Sequence, residues 1–145
     1  MIFPYWEELR DDEPRFLPLI PVTLHHATAT TDTYALVDSG AEHSIFGFDM
    51  ADELGFDLSN RQDVTIVGVG DNRTPGKATV VEYQIGQYRW TAPVIFSSAV
   101  NERPLLGQAG FFAFFTVTFR HARRDIEIRR NRTPRFQGWW HPEKD

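Results

Sequence analysis

The sequence predicts an all-β domain, a closed β-barrel with one or two short helices. Runs of β-branched and apolar residues recur along the chain, and clusters of turn-forming residues separate them. Only two short segments, Asp49 to Leu54 and Gln108 to Phe114, favour a helix. The chain has 145 residues, of which 41% are apolar, which suits one globular domain with its own core. About eight short strands with so little helix are typical of a barrel.

The strands follow from alternation of apolar and polar residues and from the turns between them. Pro18 and Pro21 indicate edge or bulge positions in the first strand. Gly55 ends the first helix, and the run from Gly70 to Gly76 predicts the turn of a long hairpin. The predicted strands are Leu17 to His25, Thr33 to Val37, Ser44 to Phe46, Val64 to Val69, Lys77 to Ile85, Tyr88 to Phe96, Phe115 to Arg120 and Asp125 to Arg129.

One carboxylate stands at the end of an apolar strand, directly before a tight turn. In Ala35-Leu36-Val37-Asp38-Ser39-Gly40-Ala41, apolar residues lead into Asp38 and small residues follow it. About 70 residues later, Pro104-Leu105-Leu106-Gly107 forms a second apolar strand that ends in glycine. Taken alone, Asp38 could also be a turn residue that caps its own backbone.

These two motifs together resemble the retropepsin-like aspartic proteases. That family has a hydrophobic-hydrophobic-Asp-Ser/Thr-Gly-Ala motif and, later in the same domain, a hydrophobic-hydrophobic-Gly motif. The resemblance covers about residues 17 to 130 and includes Gly110-Phe111-Phe112, which looks most like small bacterial members. It implies a domain at residues 17–130, between an N-terminal segment at 1–16 and a polar and aromatic tail at 131–145.

The resemblance implies a homodimeric aspartic endopeptidase. A carboxylate pair that hydrolyses peptides needs two Asp side chains about 3 Å apart that share one proton. The chain has one such motif, so two copies related by a two-fold axis would each supply one Asp38. The implied catalytic residues are Asp38, Ser39 and Gly40.

The hairpin from Val64 to Ile85 occupies the place of the family's flap, which closes over an extended peptide. Ordinary hairpin turn chemistry would explain its glycines equally well. The implied flap residues are Val67, Gly68, Val69 and Gly70. The residues implied to support the active-site loop are Ala41, Glu42, Leu106, Gly107 and Gln108.

The sequence departs from the family at two places. The family often has Arg after the second motif's glycine, paired with an acid after the first motif's alanine, whereas this chain has Gln108 with Glu42. The terminal segments do not match the strands that form the dimer sheet in viral members. These departures leave open a second function, a non-catalytic dimeric peptide-binding module on the same fold.

Other chemistries find little support in the composition. The chain contains no cysteine, which excludes a cysteine protease and a Cys-based zinc site. Its five histidines lack helical metal-ligand spacing, so neither a metal nor another cofactor is predicted. A Ser-His-Asp triad through Ser39 or Ser44 would lack a nucleophile elbow.

Charge is spread unevenly along the chain. Residues 1–60 contain 12 acids and only two arginines, and residues 120–135 contain seven arginines. The two ends could attract each other within or between chains, and the arginines could also bind nucleic acid, although the net charge of −5 disfavours that. The first residues lack the pattern of a signal peptide, and no apolar stretch is long enough to cross a membrane. We therefore expect a cytoplasmic protein.

Overall fold

The structure is a computed structural model that describes residues 1–100 and 103–135. Strands dominate these residues, with one short α-helix, and they group into three sheets. The largest sheet has seven strands, which are β4 (Leu19–His26), β5 (Ala29–Val37), β6 (Ile45–Phe46), β7 (Gln62–Val67), β8 (Arg73–Ile85), β9 (Tyr88–Ser97) and β10 (Leu105–Leu106). The helix α1 (Phe48–Glu53) follows β6 along the chain. In the sheet the strands lie in the order β4-β5-β10-β6-β9-β8-β7.

Strand β4 has two partners in this sheet. It pairs antiparallel with β5, and its residues Thr23 to His25 also pair with Gln84 to Glu82 of β8. Strand β4, at one end of the sheet order, is therefore also hydrogen-bonded to β8, and β7 lies outside this pairing, next to β8.

The smaller sheets are built from the two ends of the chain. Their strands are β1 (Ile2–Pro4), β2 (Trp6–Arg10), β3 (Glu13–Leu17), β11 (Phe115–Arg120) and β12 (Asp125–Arg130). The three-stranded sheet has the order β1-β12-β11, so the N-terminal strand pairs with a late strand of the same chain. The third sheet is the two-stranded hairpin of β2 and β3, which comes directly after β1.

Aromatic side chains make up much of the core. Trp90 packs edge-on against Phe115 at 4.8 Å between ring centroids and parallel to Tyr83 at 5.2 Å. Phe111, from the π-helical turn at Gln108–Phe112, stacks on Phe115 at 5.1 Å. This cluster packs beneath the segment that follows β10, so it positions that segment from below.

Two parts of the strand prediction are wrong. The sequence placed no strand before Leu17, whereas β1, β2 and β3 all precede β4 and bring the described strands to twelve. The strand β2 is rich in Glu and Arg, which are not typical of strands, and its turn uses Asp11 and Asp12 at positive φ instead of Asn-Gly.

The predicted turn from Gly70 to Gly76 is too long. The chain turns at Val69–Asp71, and β8 already begins at Arg73, so Pro75 and Gly76 lie within a strand. Gly76 is needed there because a Cβ atom would lie 2.8 Å from Cγ2 of Ile95 on the neighbouring strand. The other predicted strands and both short helical segments match the structure to within a few residues, except that β5 begins four residues early, at Ala29.

Candidate active site

Asp38 lies directly after β5, where the chain leaves the sheet. Its backbone N–H donates to the carbonyl of Leu106 at 3.0 Å, continuing the parallel pairing between β5 and β10. The N–H of Gly40 donates to Asp38 Oδ1 at 2.9 Å, and the N–H of Ala41 donates to the Asp38 carbonyl at 3.2 Å. Asp38 is half-buried, whereas Ser39 and Gly40 are exposed. The turn therefore holds one carboxylate oxygen and presents the group towards the surface.

The segment after β10 holds this turn from the side. The side-chain amide of Gln108 donates to the carbonyl of Ser39 at 3.0 Å. The N–H groups of Gln108 and Ala109 donate to the carbonyls of Ala41 and Glu42, at 2.9 and 3.0 Å. Gln108 thus binds the loop through hydrogen bonds from a neutral side-chain amide and a backbone N–H.

Gly107 allows the two segments to approach each other. A Cβ atom there would lie 2.3 Å from the carbonyl oxygen of His43 and 2.7 Å from that of Ala41. Gly110 is equally confined, since its Cβ would lie 2.4 Å from Ser44 Oγ. Real Cβ atoms do not come so close to backbone, so any side chain at Gly107 would push the loop away from β10.

Ser44 is a supporting residue to which sequence reasoning gave no such role. It is buried, and its hydroxyl oxygen accepts a hydrogen bond of 3.0 Å from the N–H of Gly107. Beside it, the fully buried hydroxyl of Tyr83 donates to the carbonyl of Pro93 at 2.6 Å. Burial raises the pKa of Tyr83 well above its usual range, and a hydrogen bond with Ser44 opposes that shift. Both hydroxyls are buried, and that of Ser44 bonds directly to the segment that supports the Asp38 loop.

His43 is half-buried beside the loop, a position that the sequence did not predict. Its Nδ1 atom is buried and has no hydrogen-bond partner among the described residues. Its carbonyl is the group closest to Gly107, so its backbone lies against the second motif. No sequence pattern distinguishes this histidine from an exposed one after the turn.

The predicted flap residues lie together at the tip of the β7–β8 hairpin. Val67 ends β7, and its side chain is 56% exposed, while that of Val69 is 96% exposed. Gly70 adopts a φ of +76° and has nothing within 4 Å of its Cβ position. Asn72 closes the tip, because its side-chain amide donates to the Val69 carbonyl at 3.0 Å.

The base of this hairpin connects it to the Asp38 loop. Val64 and Ile66 of β7 pack against a small cluster of Ile45, Ala78 and Ile95, with Leu105 of β10 at its side. Leu105 precedes Leu106, whose carbonyl binds Asp38. A groove of about 580 Å³ lies beside the tip, lined by Ile66, Gly68, Asn72, Arg73, Thr74, Ser98 and Ala99.

The alternative sites gain nothing from the geometry. In the part of the chain that the structure describes, no three His, Asp or Glu side chains cluster closely enough to hold a metal ion. No helix there is long and apolar enough to cross a lipid bilayer.

At least one of the seven arginines at residues 120–135 has a structural partner. Arg120 pairs with Asp125 at 2.6 Å, and the hydrogen bond with Asp125 raises the pKa of the Arg120 guanidinium. Residues 136–145 of the predicted tail, and Asn101 and Glu102, lie outside the described residues.

Comparison with known proteins identifies this arrangement. The family model described as aspartyl protease matches residues 21–109, which contain both glycine motifs and the hairpin between them. The chain belongs to the retropepsin-like aspartic proteases. No curated protein sequence is similar enough to count as a match.

Solved structures of this family share the fold. A retropepsin-like aspartic protease from Rickettsia conorii superposes with a TM-score of 0.58 at 16% identity, and 87% of each chain is covered. The EIAV protease, solved in complex with the inhibitor HBY-793, gives a TM-score of 0.52 at 20% identity, covering 63% of this chain and 82% of that one. At these identities the likeness concerns the fold alone.

Proposed function

We propose that this chain is a homodimeric aspartic endopeptidase in which Asp38 of each subunit forms one catalytic pair. The observation that carries the proposal is the Asp38 turn itself. Its backbone is anchored to Leu106, Gly40 binds one carboxylate oxygen, and the group lies half-buried beside two exposed residues. Family membership and the shared fold support a peptidase with this loop as its centre.

The turn suits a shared proton. Gly40 donates to Oδ1 of Asp38, and among the described residues no donor binds the other oxygen, Oδ2. Two such carboxylates brought to about 3 Å cannot both ionise, so one would keep a proton. The ionised Asp38 would take a proton from a bound water, and the protonated one would polarise the scissile carbonyl. Water would then attack the carbonyl carbon.

The β7–β8 hairpin serves in this proposal as the flap. Val67 and Val69 expose apolar side chains at its tip, and the groove at its side would receive part of an extended peptide. Ser39 would bond to the partner's loop across the two-fold axis. The extra pairing between β4 and β8 supports a closed barrel as the rigid body behind the flap.

The boundaries and location stay predictions. We propose residues 17–130 as the protease domain and a cytoplasmic location, with which the cysteine-free composition is compatible. The second function, a non-catalytic dimeric peptide-binding module, would use the same groove and hairpin without turnover.

Replacing Asp38 with Asn tests the proposal and separates the two functions. Asn is nearly isosteric and can still accept the Gly40 hydrogen bond, so fold and peptide binding should survive. We expect peptidase activity, measured with a peptide library at several acidic and neutral pH values, to fall to below about 1% of wild type. Asp52→Asn, at an exposed position of α1, is the matched control and should keep full activity.

Two results would contradict the proposal. Activity retained in Asp38→Asn would place the chemistry elsewhere. A wild-type protein that binds peptides but cleaves none of them, under any of these conditions, would favour the binding module.

A further inference from the structure

The hairpin of β2 and β3 stands apart from the rest of the fold. It forms a sheet of its own, and neither of its outer edges pairs with another strand among the described residues. An isolated two-stranded hairpin is only marginally stable in water, so contacts other than the hydrogen bonds between β2 and β3 must stabilise it.

The body of the chain stabilises mainly one end of this hairpin. Trp6 packs against Tyr34 of β5 at 4.8 Å, and Phe16 lies under the guanidinium of Arg124 at 3.7 Å. Glu8 forms a salt bridge of 2.8 Å with Arg103, in which both side chains are about three-quarters buried. Trp6 and Phe16 belong to the base of the hairpin, where β2 begins and β3 ends.

The outer end of the hairpin is uncovered. Leu9 is 72% exposed and lies opposite Pro14, which is also exposed. Beyond them the turn carries Asp11, Asp12 and Glu13, and none of these acids forms an ion pair within the described residues. Arg10 lies opposite Glu13 and offsets one of the three acids, so the outer end combines an apolar contact surface with a net negative charge.

This hairpin begins beside the Asp38 loop. The carbonyl of Pro18, one residue after β3, accepts a hydrogen bond of 3.0 Å from Val37, the residue before Asp38. Five residues of strand extend for about 17 Å. The outer end can thus lie up to about 17 Å from the base of the hairpin.

We propose that the outer end of the β2–β3 hairpin, formed by Leu9, Pro14 and the acidic turn, binds a second copy of this chain. The inference rests on the proposed function, which requires two Asp38 carboxylates to meet at about 3 Å. An element of this length that starts next to that loop is within reach of a partner whose own loop meets it.

Charge complementarity favours a second copy as the occupant. Arg129, Arg130 and Arg132 are exposed at the end of β12 and form no ion pair within the described residues. Asn131, between them, donates its backbone N–H to the carbonyl of Phe114 at 2.8 Å, which ties this end of β12 to the segment that follows the π-helical turn. In a two-fold dimer, the acidic turn of each chain would face the arginines of the other, giving two identical contacts.

Leu9→Lys tests the proposal and leaves the catalytic residues unchanged. Leu9 is exposed, so the variant should fold, and it loses an apolar contact and gains repulsion from the partner's arginines. Sedimentation equilibrium should therefore show a dimer dissociation constant raised by about tenfold or more. Phe48→Lys is the matched control, because it replaces another exposed apolar side chain with the same charge. Its dissociation constant should stay within about twofold of wild type.

A charge exchange tests the partner surface. Asp11→Lys with Asp12→Lys should weaken the dimer, and so should Arg129→Glu with Arg130→Glu. An equimolar mixture of the two variants should form heterodimers in preference to either homodimer, since both contacts of the heterodimer join opposite charges, whereas both contacts of each homodimer join like charges. Absence of that preference would overturn the assignment of the arginines as the acceptor.

The outcomes separate this inference from the proposed function. A wild-type dimer that Leu9→Lys weakens, but that cleaves no peptide, would support the hairpin contact and overturn the peptidase. An unchanged dissociation constant for Leu9→Lys would overturn the hairpin contact, whether activity stays the same or the KM for peptide rises. Peptidase activity from a wild-type monomer would overturn it as well.

Discussion

Gly107, under the Asp38 loop, and Gly70, at the tip of the β7–β8 hairpin, have opposite surroundings. A Cβ on Gly107 would lie 2.3 Å from backbone, although its φ of −114° suits any residue. A Cβ on Gly70 would meet nothing within 4 Å, but its φ of +76° lies in the left-handed region. The first glycine is required by packing and the second by backbone conformation alone.

This difference fits the two tasks that we propose for the loops. The Asp38 turn is bonded to Leu106, Gln108 and Ala109, and it lies over a buried aromatic cluster. The hairpin tip has exposed side chains and few bonds beyond its own turn. A catalytic carboxylate needs a fixed position, whereas a flap must open to admit a peptide.

Gly107→Ala should have the largest effect on stability. Because its Cβ would meet two backbone carbonyls, the loop and β10 must separate, and we expect a loss of about 3 kcal/mol or more in the free energy of unfolding. Urea denaturation of the purified variant would measure it. A loss below about 1 kcal/mol would show that the loop gives way easily, contrary to the comparison.

Ser44→Ala should have an intermediate effect. The substitution leaves the buried N–H of Gly107 without its hydrogen-bond partner, which should lower the free energy of unfolding by about 1–3 kcal/mol in urea denaturation. Ser59→Ala is the control, because Ser59 bonds only to Asp57 at an exposed turn and should cost less than about 0.5 kcal/mol. Equal losses in the two variants would remove Ser44 from the support of the loop.

Gly70→Ala should have the smallest effect on stability. The space is open, so only the left-handed backbone conformation is penalised, by about 1 kcal/mol. The same Gly→Ala change would thus cost far less here than at Gly107. If Gly70→Ala destabilised the protein as much as Gly107→Ala, the tip would not be the loosely held element that we describe.

Sequence patterns predict the parts of this fold that local chemistry determines. Asp38 follows an apolar strand, and Leu106-Gly107 repeats that pattern, so the pair of motifs could be found without coordinates. The β2–β3 hairpin was missed because Glu and Arg are poor strand formers, and its contacts with Tyr34 and Arg103 come from distant parts of the chain. Gly76 was assigned to a turn because its reason, the nearness of Ile95, exists only in the folded sheet.

In the proposed dimer, each active site takes one Asp38 from each of two chains. The decisive experiment mixes wild-type and Asp38→Asn protein at constant total concentration, above the dimer dissociation constant and after subunit exchange. If both carboxylates are needed, peptidase activity follows the square of the wild-type fraction, so an equal mixture gives about one quarter of full activity. An equal mixture that retains about half would show that a single chain carries a complete site, and would contradict the account.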